Sequence, residues 1–250
     1  MRLSITDAVK HLLIINVIMF IGTLTIGNGE AFYQWFALYF PKNEAFQPWQ
    51  ILTHMFMHGS PAHILFNMIG LWMFGSAVEQ VFGWRKFLMF YLLSGFGAAL
   101  IMLAYYYFQY SPLEGELIAS GISTAEINDM LSNNKIYRDI TIDQKLKLQE
   151  MFDIYISTMV GASGALFGVL VAYGMLYPES KVMLIFLPVP IKAKYFIPGL
   201  IVVNIASELY GNSMLSPSNV AYMAHLGGAL TGFLLMLVWK KNESDKYRWN

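Results

Sequence analysis

Ser163, His225 and the pair His63 and Asn67 are the residues whose types and settings point to catalysis in an otherwise largely apolar chain. Ser163 stands in Gly161-Ala162-Ser163-Gly164, at the head of an apolar run that ends at Pro178. The run offers about 15 residues, or about 22 Å of helix, whereas a bilayer core is about 30 Å thick. Its helix is therefore expected to start below the membrane surface. Non-helical backbone at that depth is tolerated only inside protein or beside a water-filled cavity. A serine hydroxyl there meets the free N–H groups and positive dipole end of the helix, the setting an acyl-transfer oxyanion needs. The same tetrapeptide also suits an ordinary tight helix start, and Gly-x-Ser-Gly recurs by chance.

His225 is an ionisable residue within an apolar segment, where the cost of burying it makes it a functional candidate. Gly164, Gly168 and Ala172 recur every four residues on one segment, and Ala224, Gly228 and Gly232 do so on the other. Such stripes let two helix backbones approach closely. If the stripes face each other, the Ser163 hydroxyl and the His225 imidazole come within reach as nucleophile and general base. Plain helix packing, with His225 bonded to a backbone carbonyl, is the other reading. His63 and Asn67 lie four residues apart on one helix face, so their donors can complete an oxyanion hole or act as interhelical polar glue. His54, His58 and His63 raise the question of zinc. The His-Glu-x-x-His pattern is absent and no acid lies near them, so no metal is expected. Neither the Ser163 nor the His225 segment contains Asp or Glu. A Ser-His dyad is expected in place of a triad.

The elements that position these groups are membrane helices. Of the 250 residues, 56% are hydrophobic and 13% charged, which places the chain among integral membrane proteins. Net charge is zero and the basic residues are dispersed, so nucleic acid is not an expected partner. There is no cysteine, which removes disulfides and cysteine nucleophiles. Apolar runs predict six spans, at about 8–26, 63–81, 87–108, 163–177, 195–210 and 220–240. Counting Lys and Arg, 11 of the 16 fall on the face shared by both termini, which are therefore expected to be cytoplasmic. Between Gly29 and Pro48 a dense set of aromatics predicts an amphipathic outer loop 1 lying in the membrane interface. The polar segment 111–153 is expected to be an extracytoplasmic, partly helical insert between helices 3 and 4. Its capping boxes Ser123-Thr-Ala-Glu126 and Thr141-Ile-Asp-Gln144 open two short helices.

These motifs resemble the rhomboid family of intramembrane proteases. His63-Ile-Leu-Phe-Asn67 is similar to its histidine-to-asparagine motif, Gly161-Ala-Ser163-Gly164 to its nucleophile turn, and Ala224-His225-Leu-Gly-Gly228 to its histidine helix. The likeness covers nearly the whole chain in order and spacing. It implies an all-α membrane protein, a six-transmembrane-helix bundle forming a single domain over 1–250, of the minimal bacterial type in the inner membrane. It implies further that Ser163 attacks the scissile carbonyl, that His225 takes and returns the proton, and that His63, Asn67 and the Ser163 backbone N–H hold the oxyanion. Phe167 stands where many members carry a tyrosine stacked on the histidine. Gly161, Gly164, Ala224 and Gly228 support the site. Gln50, after Trp49, replaces the arginine common in the family's first outer loop, and Glu79 matches a glycine-to-glutamate motif read as structural.

The implied activity is cleavage, without metal or organic cofactor, of a peptide bond in or near the transmembrane segment of a membrane-anchored protein. The partners are then transmembrane-segment substrates, with small residues at the cleaved bond, and membrane lipids. The rival expectations are a catalytically inactive relative, serving as membrane chaperone or trafficking factor, and a transporter with broken helices. The paired inverted broken segments of such a transporter are not found.

Overall fold

The computed structural model describes residues 4–184, 187–210 and 222–246. Along the chain run α1 (Asp7–Thr25), α2 (Glu30–Phe36), β1 (Leu38–Tyr39), α3 (Gln50–Thr53), α4 (Pro61–Gly70) and α5 (Ser76–Phe82). They are followed by α6 (Trp84–Ala119), α7 (Thr124–Asn133), α8 (Ile142–Tyr155) and β2 (Thr158–Met159). The chain continues through α9 (Ser163–Leu176), β3 (Lys181–Leu184), β4 (Leu187–Lys192), α10 (Ala193–Tyr210) and α11 (Tyr222–Lys246). The architecture is an all-α membrane bundle with two short two-stranded ribbons.

Among the described residues four helices are long and apolar enough to cross a bilayer: Asp7–Thr25, Pro61–Phe82, Trp84–Ala119 and Tyr222–Trp239. The other two expected spans correspond to shorter apolar helices, Ser163–Leu176 and Ala193–Ser207. The expected start of the sixth span, 220–221, lies outside the described residues, as do Arg2 and Arg248 of the basic face. Span three differs from expectation at its far end. Apolarity ends near Phe108, yet α6 runs on through Pro112 to Ala119. Hydropathy records where lipid contact ends, and the helix continues beyond it; Pro112 removes one hydrogen bond without ending the helix.

The second span is one continuous rod, because a π turn at Leu71–Gly75 joins α4 to α5. At its far end Glu79 is buried and accepts from the backbone N–H groups of Ala8 and Val9, each at 2.9 Å. The carboxylate thereby satisfies first-turn donors of α1 and meets the positive end of its dipole. Glu79 is thus a clamp between spans one and two.

The central helix is α9, in which Gly164 to Ala172 are buried without interruption. A helix apolar all round belongs in the middle of a bundle. The two small-residue stripes face each other here. A Cβ on Gly228 would collide with the Gly164 carbonyl, and one on Gly232 would lie 2.6 Å from the Gly168 Cα. Helix α6 closes the third side, since a Cβ on Gly227 would meet the Gly97 carbonyl at 2.9 Å. Backbone approach this close requires glycine and brings dispersion contact that larger side chains would prevent.

The connection from α1 to α4 is organised by Gln50, which is fully buried. Its Nε2 donates to the carbonyls of Gln34 and Ala45, at 3.0 and 2.9 Å, while its Oε1 accepts from the Gln47 N–H at 3.0 Å. A neutral amide thus holds this loop at the position where the resemblance implies an arginine. Both expected capping boxes are formed, at Ser123/Glu126 and Thr141/Gln144. Helices α7 and α8 bury Ile127, Met130, Leu131, Leu148 and Met151 around Phe40 of the loop and Tyr110 of α6, a second core separate from that of the bundle. Between α9 and α10, Glu179 pairs with Lys192 at 2.8 Å and Lys194 at 2.5 Å. Hydrogen bonds from these two lysines hold its carboxyl down at about 2.

Candidate active site

The serine turn is fixed from both sides before its helix begins. Upstream, β2 pairs antiparallel with β1, with Leu38 opposite Met159. The Gly161 N–H then donates to the His54 carbonyl at 2.9 Å. Gly161 has φ +123°, a conformation that L side chains rarely adopt, and a Cβ there would lie 2.7 Å from the His63 ring nitrogen Nε2. Position 161 therefore demands glycine on two counts. Ser163 is the first residue of α9, so its own N–H has no acceptor within the helix and points out of the helix end.

His63 reaches this turn because α4 starts sharply. Ser60 caps it by accepting from the His63 N–H at 3.2 Å, and Pro61 takes the first helical position. One turn on, Asn67 is buried and its Nδ2 has no hydrogen-bond partner. A buried amide donor without an acceptor costs free energy. It is the kind of group that a developing oxyanion would satisfy. The His58 ring lies 5.0 Å from that of His63, edge to face. The His54 Nδ1 lies 2.9 Å from the Gln50 carbonyl. Among the described residues no three His, Asp or Glu side chains are grouped as metal ligands.

His225 projects from α11 toward α9. Its Nε2 lies 2.8 Å from the Ser163 Oγ. The Phe167 ring, one turn after Ser163, stacks on the imidazole with centroids 4.3 Å apart and planes 11° apart. Ala224 and Gly228 flank the histidine on the face turned to Gly164, whose missing side chain lets α11 approach. The structure thus brings together Ser163, His225, Phe167, His63 and Gly161, with Asn67 one turn from His63 on the same helix.

One neighbour escaped sequence reasoning. Asn204 of α10 is 4% exposed, and its Oδ1 lies 2.8 Å from the His225 Nδ1. An amide in an apolar span is a signal in itself. The rotation of α10 about its axis was needed to show that the amide faces the histidine.

A family model described as the Rhomboid domain matches residues 45–242, a stretch that contains every residue of this site. The chain belongs to the rhomboid family. Among curated proteins it is similar to "Rhomboid protease AarA" of Providencia stuartii, with 27% identity over 194 residues covering 76% of this chain. The chain spans 56% of that relative's length.

Proposed function

We propose that this chain is an intramembrane serine endopeptidase in which Ser163 is the nucleophile and His225 the general base. The observation that carries the reading is the 2.8 Å approach of Ser163 Oγ to His225 Nε2 at the N-terminus of a short, central membrane helix. Family membership and the protease named among its relatives support it. In the first step the Ser163 oxygen attacks the scissile carbonyl while its proton passes to His225 Nε2. The carbonyl oxygen becomes an oxyanion held by the Ser163 N–H, the His63 ring and the Asn67 amide. His225 then gives its proton to the departing amine, leaving an acyl-enzyme. A water molecule deprotonated by His225 attacks that ester, and His225 returns the proton to the Ser163 oxygen as the second product leaves, which restores the serine. These steps need proton transfer and fixed donors only, so the reaction requires neither metal nor organic cofactor.

The substrate is a membrane-anchored protein with its scissile bond in or near a transmembrane segment. An intact helix engages its carbonyls in its own hydrogen bonds, so the segment must unwind locally, and small residues ease this approach. The protein is read as a single bundle over 1–250 with both termini cytoplasmic, in a bacterial inner membrane. The 111–153 insert then lies outside the cytoplasm and flanks the outer opening, because it packs on Phe40 of outer loop 1. Wild type and Ser163→Ala, reconstituted in liposomes with a labelled single-span substrate, test the reading. Cleavage by the wild type alone is expected; equal cleavage by both would refute it.

A further inference from the structure

We infer that Asn204 is the third, positioning member of the site, holding His225 in the one tautomer that can accept the serine proton. The inference rests on the reading of Ser163 and His225 as nucleophile and base. A side-chain amide has a donor end and an acceptor end, and its neighbours decide which points where. The Asn204 Nδ2 lies 2.8 Å from the Leu200 backbone carbonyl. That carbonyl accepts only, so the NH₂ end must face it. The Oδ1 end is left facing the His225 Nδ1 at 2.8 Å, and a carbonyl oxygen also accepts only. The Nδ1 atom must therefore carry a hydrogen. A neutral imidazole has one ring proton, so Nε2 presents its lone pair to the Ser163 Oγ, 2.8 Å away. The Leu200 carbonyl, one turn back on α10, thereby fixes the sense of proton transfer at the serine.

The same bond persists through the reaction. When Nε2 takes the serine proton, the Nδ1–H of the imidazolium still donates to Asn204, now as a charge-assisted bond. The interaction is thus stronger as charge develops on the ring than in the resting enzyme, which is the condition for it to contribute to rate. Asn204 and Phe167 divide the control of the ring between them. The stacked phenyl sets the plane of the imidazole, and Asn204 sets which edge faces the serine. Neither Asp nor Glu occurs in the segments carrying Ser163 and His225, and the amide supplies from a third span the orientation that a carboxylate provides in a triad.

Asn204→Leu keeps the volume and removes the acceptor, whereas Asn204→Asp keeps an acceptor and, when protonated, also the bond to Leu200. All variants are reconstituted with the single-span substrate, and rates are expressed per folded enzyme, with folding judged by thermal unfolding in detergent. For Asn204→Leu, kcat is expected to fall about 10- to 100-fold with KM within about twofold of wild type, and Asn204→Asp to recover most of the loss. If the leucine variant does not fold, Asn204→Ala, which adds no bulk, is expected to show the same fall in kcat. Wild-type kcat in a folded variant lacking the acceptor would overturn the inference. So would a loss in Asn204→Asp equal to that in Asn204→Leu or Asn204→Ala, since restoring an acceptor beside Nδ1 would then restore nothing. Ser163→Ala, run alongside, separates the two readings. Wild-type cleavage that survives it defeats the protease assignment itself, whereas Ser163-dependent cleavage unaffected by loss of the amide defeats only the role of Asn204.

Discussion

A serine hydroxyl is a weak nucleophile until an imidazole beside it is held in plane, in tautomer and at distance, and on the proposed reading Ser163 and His225 are such a pair. The plane comes from Phe167, stacked at 4.3 Å on the ring. An aromatic pair of this kind contributes about 0.5–1.5 kcal/mol beyond its area. Phe167→Ala is accordingly expected to slow turnover about two- to tenfold, with Phe167→Tyr near wild type; initial rates in proteoliposomes check this. The serine turn, the histidine in its helix and the pair His63 and Asn67 are legible in the sequence because ionisable and polar groups in apolar segments stand out. Asn204 was not picked out, although it is polar in an apolar span. Its meaning depends on which way α10 is turned, and that is decided by packing against α9 and α11. In the sequence Gln50 marks only the place of an absent arginine. Its five-residue reach back to the Ala45 carbonyl and its contact with Gln34 follow from a loop fold that no periodic pattern encodes.

At the scale of elements, the site depends on α9 and α11 meeting at backbone distance. The stripes announced this contact, because glycine every four residues has no better explanation in two apolar helices. Gly228→Val tests it, since the new side chain would run into the Gly164 carbonyl. Overpacking of this kind costs about 1–3 kcal/mol, and more where backbone must move. A lower unfolding midpoint in detergent and a loss of cleavage are expected together, and a variant with wild-type midpoint and rate would contradict the packing account. Element boundaries were less legible. The 36-residue α6 outruns its apolar stretch, and the π turn at Leu71–Gly75 leaves no mark in composition. Capping was read correctly at both insert helices because Ser123 with Glu126 and Thr141 with Gln144 act over three residues, independently of tertiary context.

Across the whole molecule, the insert has a core of its own, built against Phe40 of the loop before α3 and Tyr110 of α6, beside the clusters that pack α9 within the bundle. Lys42 of the loop also pairs with Glu114 of α6 at 2.5 Å, and the Asn43 Nδ2 donates to the Tyr155 carbonyl at 2.7 Å. The loop is thus joined to the insert, and through β1 and β2 to the strand that leads into the serine turn. Deleting 115–150 removes most of this second core, so turnover of the single-span substrate is expected to change through the loop's position. Unchanged turnover on every substrate tried would remove the insert from any account of access. Composition announces a polar insert and its two capping boxes announce the helices; what it packs on requires the position of Phe40 in three dimensions.

Whether His225 activates Ser163 is read out by a fluorophosphonate probe, which labels activated serines. The membrane-reconstituted protein is labelled and digested, and the modified residue is located by mass spectrometry. One adduct is expected, on Ser163, and it is lost in His225→Ala. An adduct elsewhere, or labelling of Ser163 undiminished in His225→Ala, would contradict that activation.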